Sequence, residues 1–357
     1  MTPDWRDPTR ADRIVCQMVS PLDLDEVLGE LELEDGGSVS QGYYTDTRAS
    51  ASLITLDWGS WVSGSWLRIL HQVRGTDYSR ELFTGFPTSA APTLRGVGPS
   101  GTISTKVELK SALFGADADV WPPAFTVGAG ATARQAIERV CALAGLAHRV
   151  DGTVAEYRFT ATRTWDSCTP VISMLFDLCD ACGARMDVDG HGVVTFSRYV
   201  EPSLRTPQFA LDATAPDTLV IDGSVSLSSD DLSLPNRSAV AWKDGDSELI
   251  AWSDLPSSSD LSRAHRGWAK TEVHQLQDMP EPRTQAHAQA LADAWLPSDS
   301  TATREWECET LWWEAQAGMV GTFDPGDGSG PRRVMLKNVD STLSAKSMTH
   351  KLTLKEV

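Results

Sequence analysis

Hydrophobic and polar residues alternate in short runs along most of this chain, which is typical of antiparallel β-strands. Within the first 120 residues the alternation predicts six strands, separated by turn sequences such as the Gly-Pro-Ser-Gly at 98–101. Their spacing of about ten residues is that of a sandwich or a barrel. The predicted strands span 14–19, 52–58, 66–73, 80–86, 93–97 and 102–109.

Two helices are predicted where the β pattern is interrupted. The first follows Thr132, which forms a capping box with Gln135. The second is expected to have Thr169 as its cap and Pro170 as its first residue, and to stop at Gly183. Each carries one apolar stripe, so we expect both helices to pack against the same small core.

A β-hairpin is predicted after the second helix, where residues 185–196 alternate around the turn Asp-Gly-His-Gly. A second β region starts near residue 233 and holds another hairpin over 238–252. Thr284 is the predicted cap of an Ala-rich helix that runs to Leu296, and Pro297 is expected to end that helix. Four further strands are predicted over 304–312, 319–324, 332–343 and 347–355.

These elements predict a mainly β protein with an α+β insertion. The length of 357 residues exceeds what one core usually supports, so several domains are expected. We predict a first β-barrel domain over 1–120, for which 201–232 is a candidate completion, an α+β domain over 121–200, and a second β-barrel domain over 233–357 that includes the helix 284–296. No run approaches the roughly 20 apolar residues that span a bilayer. We therefore expect neither a signal peptide nor a membrane anchor.

The order of these pieces resembles the hub proteins of phage tail tips, a family that includes baseplate hubs and chains called minor tail proteins. The resemblance covers most of the chain and rests on loose patterns. They are Val-Gly-Ala-Gly-Ala-Thr-Ala-Arg-Gln-Ala-Ile at 127–137, the hairpin Asp-Val-Asp-Gly-His-Gly at 187–192, and Leu-Pro-Asn-Arg at 234–237 opening a second barrel.

The resemblance implies a structural, non-enzymatic virion protein. In that family the hub is a ring, usually a homotrimer, whose two barrel domains resemble the tail-tube subunit. The implied partners are further copies of the chain, the tail tube or distal tail protein, tip or fibre proteins, the tape measure protein, and DNA in transit. The expected location is the tail tip of the virion, after assembly in the bacterial cytoplasm. We expect no cofactor, no metal and no catalytic residue, and the family's lysozyme or peptidase extension has no counterpart in the sequence.

The net charge of −18 and the isoelectric point near 4.7 argue against a protein that grips nucleic acid. Under the resemblance, carboxylates that face a channel would repel passing DNA phosphates. Solubility is the competing explanation for the acidity. The six cysteines do not form a secreted disulfide pattern, so a reducing compartment is expected.

A cell-wall hydrolase is one alternative function. The sequence contains no Gly-x-Ser-x-Gly, His-Glu-x-x-His or Walker motif. Glu305, Glu307 and Glu309 share one face of a predicted strand and could form a glycosidase pair. Trp306 and Cys308 on the other face favour a half-buried structural strand instead.

Smaller motifs also have structural explanations. Cys179 and Cys182 form a CxxC, but they fall in the last turn of a helix, where core cysteines are expected rather than a redox pair. The Gly128-x-Gly130 sequence is expected to be a turn rather than a phosphate cradle. The Asp pairs lack the ligand count of a calcium loop, and the histidines occur singly. These residues are Asp187, Asp189, Asp324 and Asp327, and His148, His191 and His350.

A receptor- or glycan-binding protein is the second alternative function. Exposed tryptophans on β scaffolds often stack on sugars, and this chain has two tryptophan clusters. Burial in a core or a subunit interface is the competing interpretation. The clusters contain Trp58, Trp61 and Trp66, and Trp306, Trp312 and Trp313.

Overall fold

The computed structural model describes residues 3–7, 9–56, 64–95, 102–228, 234–244, 247–276, 284–300, 304–344 and 347–357. Within these residues the protein is mainly β with a helical insertion, which confirms the predicted fold class. The chain divides into two compact units. Unit 1 contains Met1–Ser226 and Trp306–Val357, and unit 2 contains Leu227–Glu305.

The described residues form the following elements. The strands are β1 (Asp12–Val19), β2 (Val27–Leu31), β3 (Leu33–Gly42), β4 (Ala49–Thr55), β5 (Trp66–Val73), β6 (Ser79–Arg95), β7 (Thr102–Lys110), β8 (Val120–Trp121), β9 (Phe125–Val127), β10 (His148–Val150), β11 (Arg163–Trp165), β12 (Thr169–Pro170), β13 (Ala184–Val188), β14 (Val194–Arg198), β15 (Phe209–Asp212), β16 (Ser226–Ser228), β17 (Arg237–Asp244), β18 (Ser247–Asp254), β19 (Thr271–Leu276), β20 (Glu305–Leu311), β21 (Val320–Asp324), β22 (Arg332–Thr342) and β23 (Thr349–Glu356). The helices are α1 (Ala112–Ala118), α2 (Ala133–Leu143), α3 (Gly152–Ala155), α4 (Val171–Cys182), α5 (Arg263–Arg266) and α6 (Gln285–Asp299), with a 3₁₀ turn at Pro202–Leu204.

One long sheet dominates unit 1. Its strands lie in the order β20-β23-β22-β3-β4-β7-β6-β5-β1-β2, and β21 also pairs with β22 while β15 pairs with β21 in parallel. Alternate residues of these strands point into two apolar clusters that share one side of the sheet. Val39, Leu53 and Leu109 belong to the first cluster, and Val339 and Leu352 to the second.

The structure divides the chain differently from the predicted domains. The prediction placed residues 233–357 in one barrel, but residues 306–357 belong to unit 1, where β22 pairs with β3. The pairing of Asp340 with Ser40 joins positions 300 residues apart, and strand alternation carries no information about which strands will pair. Residues 201–226 also belong to unit 1. Closure of either predicted barrel stays a prediction.

A buried polar cluster ties the first strand to the last two. The carboxylate of Asp12 accepts hydrogen bonds from Arg10 Nε at 2.9 Å and from the Met348 backbone N–H at 3.1 Å, and it lies 2.9 Å from His71 Nε2. Burial alone raises the pKa of Asp12, but the hydrogen bonds from His71 and Arg10 outweigh it and lower the pKa to about 2. The ring of Trp312 packs edge-on against His71, with centroids 4.6 Å apart.

His350 completes this cluster on strand β23. Its Nδ1 lies 2.9 Å from Ser341 Oγ, its Nε2 lies 2.8 Å from the carbonyl oxygen of Trp313, and its ring stacks on Trp312 at 4.5 Å. The side chain is 1% exposed. Burial lowers the pKa of His350 to about 4, because the charged ring would have to leave water.

The helical insertion has one core of its own, formed by α2, α4 and the sheet β10-β14-β13. The capping box of Thr132 and Gln135 is present as predicted, and Gly183 ends α4 in a left-handed conformation, with φ of 62°. The predicted cap Thr169 was wrong. It pairs with Trp121 in a short β-bridge, its hydroxyl donates to the carbonyl oxygen of Asp166, and Pro170 is the cap residue.

The tip of the β13–β14 hairpin docks on the long sheet. Thr84 Oγ1 donates to the carbonyl oxygen of Gly190 at 2.7 Å, and His191 Nδ1 lies 3.0 Å from a carboxylate oxygen of Glu81. A side chain at Gly190 would collide with the backbone carbonyl of Glu81. The predicted Asp-Gly-His-Gly turn is therefore also the attachment point of the insertion.

Unit 2 is a three-stranded sheet, β18-β17-β19, with α6 packed on one side through Ala288 and Ala292. Gln285 Nε2 donates to the carbonyl oxygen of Ile250 at 2.6 Å, and Gln289 Nε2 donates to that of Trp252 at 2.9 Å. The predicted helix end was wrong, since Pro297 lies inside α6. Pro297 has no backbone N–H, so it removes one hydrogen bond near the end of α6, which continues to Asp299.

Candidate functional site

The side of the long sheet opposite the apolar clusters carries small polar side chains on four adjacent strands. Asp340 pairs with Ser40 and Ser40 pairs with Ser50, while Thr342 pairs with Ser38 and Ser38 pairs with Ser52. Because paired residues share a face, these side chains form continuous rows across the sheet. We call this surface the hydroxyl face; it contains Ser38, Ser40, Ser50, Ser52, Thr342, Thr349 and Thr353.

The geometry of the hydroxyl face follows from strand alternation. Val39, Ala51, Leu53, Val339 and Leu352 lie between its residues in sequence and are buried on the other side. The hydroxyl side chains remain partly exposed, and Ser38 Oγ lies 3.2 Å from Ser52 Oγ across the two central strands. The hydroxyl side chains are small, and Ile54 is the partly exposed apolar residue that follows Ser52 on the same face of β4.

Charged residues border the hydroxyl face, and two of the bordering lysines form ion pairs, while a third, Lys110, is the cross-strand partner of Ser50. On one side, Lys351 Nζ lies 2.9 Å from a carboxylate oxygen of Glu307. On the other side, Lys106 Nζ lies 2.6 Å from a carboxylate oxygen of Glu108, which pairs with Ser52. Exposed pairs of this kind contribute little stability, but each carboxylate offsets the attraction that a lysine would have for an anion. The hydroxyl face therefore offers an anion little net attraction.

The glutamate row that suggested a glycosidase lies on β20. Its alternation is as predicted, because Trp306 and Cys308 are buried while Glu307 and Glu309 point the other way. Glu307 is paired with Lys351.

The CxxC pair lies in the last turn of α4, as predicted. Cys179 is buried, and Cys182 Sγ lies 3.7 Å from the carbonyl oxygen of Cys179. Burial raises the pKa of both thiols, so they stay protonated and unreactive at neutral pH. The Gly128-x-Gly130 segment is a turn, in which the Ala131 N–H donates to the carbonyl oxygen of Gly128.

The aspartate pairs stabilise turns and ion pairs. Asp187 accepts two hydrogen bonds from Arg185, at 2.5 and 2.7 Å, and Asp189 accepts one from the Val193 N–H. Asp324 and Asp327 each accept a hydrogen bond from the backbone N–H two residues later. In the parts of the chain that the structure describes, no three metal-ligating side chains come together.

The histidines do not form one site. His148 Nδ1 lies 2.9 Å from the carbonyl oxygen of Leu146, His191 lies at the hairpin tip, and His350 is in the buried polar cluster. None of the described helices is both long and apolar enough to pass through a bilayer.

The glycan-binding alternative required the two tryptophan clusters to be exposed, and most of their described members are buried. Trp306, Trp312 and Trp313 are buried, and Trp66 is partly buried against the core of the helical insertion. Trp58 and Trp61 lie outside the described residues. Among the tryptophans that the structure describes, the exposed ones are in unit 2, outside both clusters named above. They are Trp252, 52% exposed, and Trp268, 44% exposed.

The hydroxyl face was not predicted from the sequence. Its signal was present in the alternation Ser-Val-Ser at 38–40 and Ser-Ala-Ser at 50–52. No strand was predicted over 38–40, and the predicted strand 52–58 begins only at the last of these serines. In the structure Gly36 and Gly37 form a bulge in β3, at φ values of 120° and 122°.

Comparison with known proteins places this architecture among tail proteins. No protein-family model matches the chain, and no curated protein sequence does. Solved structures do match. A tail protein from Neisseria meningitidis is 13% identical with a TM-score of 0.65, and the alignment covers 97% of both chains. A 43 kDa tail protein of prophage MuSo2 from Shewanella oneidensis is 10% identical with a TM-score of 0.62, covering 96% of this chain and 97% of that one.

A further match is to one chain of a larger protein complex. One chain of the PdpA–VgrG complex of Francisella is 8% identical with a TM-score of 0.55, and the alignment covers 98% of this chain but 53% of that chain. At these identities the similarity shows the fold and not the activity. The chain therefore has the fold of phage tail proteins, as its resemblance to tail-tip hubs predicted.

Proposed function

We propose that this protein is a structural hub subunit of a phage-type tail tip, in which copies form a trimeric ring that joins the tail tube to tip or fibre proteins. The observation that carries the proposal is the hydroxyl face, on a chain whose fold matches phage tail proteins over nearly its whole length. The proposed location is the virion.

The hydroxyl face is the proposed lining of the ring's channel. DNA is held by lysines and arginines whose charge is free to replace counterions. Lys351 and Lys106 lie beside Glu307 and Glu108. The charge of Lys110 is balanced by Asp340 on the same face, so little net attraction remains. The serine and threonine hydroxyls exchange hydrogen bonds readily with water. A tape measure protein and then DNA would pass such a surface without adhering.

The acidity of the chain supports the same role. With a net charge of −18, the surface as a whole repels phosphates, and within a narrow channel that repulsion acts from all sides. Ser341 Oγ lies 2.9 Å from His350 Nδ1, but both side chains are buried, and the other ring nitrogen of His350 faces the carbonyl oxygen of Trp313 and not a carboxylate. We therefore do not propose hydrolysis of the cell wall by this chain.

The first test is the oligomeric state. Light scattering coupled to size exclusion, with negative-stain images of the peak, should reveal a trimer with a central hole. A tube or distal tail protein added to the sample should shift the chain towards the ring if closure depends on that partner. A chain that stays monomeric alone and with each neighbouring tail protein would overturn the ring.

The second test concerns the channel surface. Ser38→Lys and Ser50→Lys together add positive charge to the hydroxyl face at positions whose cross-strand partners carry no carboxylate, and we expect slower DNA release from particles that carry this variant, with recovery at high salt. Ser257→Lys and Ser258→Lys together, at an exposed loop of unit 2, are the matched control, because they add the same number of charges. Equal DNA release rates for the two variants would show that the hydroxyl face does not line the channel.

A glycan-binding role is a second candidate, supported by the exposure of Trp252 and Trp268. The Cζ atom of Arg237 lies 5.9 Å from the Trp252 ring centre. The same guanidinium donates hydrogen bonds of 2.8 and 2.9 Å to the Asp254 carboxylate, so polar groups flank the aromatic ring. A glycan array with the full chain tests this role. Binding that is lost in Trp252→Ala would support it, and an empty array would reject it.

A further inference from the structure

Exposed apolar and aromatic side chains gather around one arginine of unit 1. Tyr199 is 44% exposed, Val200 41% and Leu204 78%, and all three lie within six residues of Arg205 in sequence. Tyr44, 54% exposed, contacts the ring of Tyr43 at 4.9 Å on the neighbouring loop. Large apolar residues at this exposure and density mark contact surfaces more often than scattered surface positions do.

Arg205 is held in place by hydrogen bonds to three different segments. Its Nε donates to the carbonyl oxygen of Val200 at 2.8 Å, its Nη1 to that of Gly318 at 2.9 Å, and its Nη2 to the hydroxyl of Tyr43 at 2.5 Å. The guanidinium carbon lies 5.4 Å from the Tyr43 ring centre and 5.9 Å from that of Tyr199. A fixed arginine among tyrosines loses little entropy on binding, which is a property of interface hot spots.

The same place is concave and locally positive. A cleft of about 490 Å³ opens between this segment and residues 317–318. Its lining contains three arginines, Arg185, Arg198 and Arg205, and one carboxylate, Asp187. Glu201 lies beside it and accepts a hydrogen bond from the Tyr199 hydroxyl. Arg185 lies flat on Tyr43, with its guanidinium carbon 3.4 Å from the ring centre. We call this set of residues, with Tyr199, Val200 and Leu204, the Arg205 surface.

A positive, apolar surface is unusual on a chain with a net charge of −18. Copies of such a chain repel one another at long range, so they can associate only where local charge and apolar area oppose that repulsion. The Arg205 surface has both properties. It is not self-complementary, because a two-fold contact would set arginines against arginines. Contact with a different, acidic surface of the next copy is a head-to-tail arrangement, which closes into a ring when the rotations between successive copies add up to a full turn.

We infer that the Arg205 surface is the positive half of the contact between neighbouring copies of this chain, and that it receives an acidic surface of the next copy. The inference rests on the proposed ring, since it names the surface through which that ring closes. It also specifies that the contact is head-to-tail and sensitive to salt.

The test is sedimentation velocity on the full chain over a concentration series. Leu204→Asp places a charge in the centre of the surface, and Arg198→Glu reverses its sign at an exposed position. We expect each change to weaken association by about tenfold or more, as loss of an interface hot spot does. Leu22→Asp is the matched control, because Leu22 is 97% exposed and lies far along the chain from the Arg205 surface. It should leave association unchanged.

The outcomes separate this inference from the proposed ring. If the wild-type protein forms rings and Leu204→Asp behaves like Leu22→Asp, the ring stands and the Arg205 surface is not its contact. If the association is a two-fold dimer, the head-to-tail contact is refuted. If the wild-type protein stays monomeric alone and with its tube partner, both proposals fail. Thermal unfolding of each variant checks the fold, and we expect little change because Leu204 and Arg198 are exposed.

Discussion

Acid should destabilise this protein through one buried histidine. The ring of His350 is neutral in the fold, where burial lowers its pKa from 6.5 to about 4. A group whose pKa is lower in the folded state than in the unfolded state favours unfolding once the unfolded chain binds the proton. The stabilisation is therefore complete above about pH 6.5 and is lost as the pH falls towards about 4.

The size of the effect follows from the two pKa values. Between about pH 7 and pH 5, this one histidine should remove about 2 kcal/mol from the free energy of unfolding. The carboxylate of Asp12 does not interfere, because its pKa is lowered to about 2 and its contribution is lost only at more acidic pH. Between pH 7 and pH 5, the effect of His350 on the free energy of unfolding is therefore measured without a contribution from Asp12.

The perturbation is His350→Gln, which keeps polar atoms in the cluster and removes the titration. Urea unfolding of the variant and of the wild-type protein at several pH values measures the difference in free energy of unfolding. We expect the variant to be less stable at pH 7, because it loses the contact to Ser341, and the difference to shrink by about 2 kcal/mol at pH 5. His148→Gln serves as the comparison for loss of a partly exposed histidine. Parallel curves for wild type and His350→Gln over this interval would refute the reasoning.

Three further outcomes are expected. Gly190→Ala should destabilise the fold by about 1–3 kcal/mol, because the added methyl group meets the backbone of the strand beneath the hairpin, and Gly128→Ala, which has open space, should cost less; urea unfolding compares them. Thr132→Ala should cost about 1 kcal/mol through loss of the capping box, and an undiminished midpoint of unfolding would contradict that role. A thiol reagent should label the exposed Cys168 in the native protein and leave Cys179 unmodified until the protein is unfolded; mass spectrometry of the native protein that finds Cys179 labelled would disprove its burial.

Local features of the helical insertion were predictable from the sequence because they depend on neighbouring residues. The capping box at Thr132, the left-handed stop at Gly183 and the hairpin after it each involve contacts within a few positions. Thr169 shows the limit of such reasoning. Its hydroxyl was available to cap a helix, but the segment pairs with Trp121 and takes the residue into a strand.

The pairing of strands that are distant in sequence was not predictable in the same way. Alternation identified strands near the C-terminus, yet the choice of β3 as the partner of β22 depends on side chains that meet only in the folded chain. The hydroxyl face is the product of that pairing, since Ser40 and Asp340 come from opposite ends of the sequence. Its signal was a set of polar positions spread over four strands, none of which is informative alone.

The two glutamine side chains on α6 have a consequence for how unit 2 meets other proteins. Gln285 and Gln289 occupy the outward carbonyl groups of β18, which would otherwise be free to extend the sheet. A neighbouring chain therefore cannot add a strand at these positions without displacing both amides. Recognition of unit 2 along β18 must instead use side chains, among which Ile250 and Trp252 project from the same strand. Such contacts can be redesigned one residue at a time, whereas a shared backbone ladder would tolerate most substitutions.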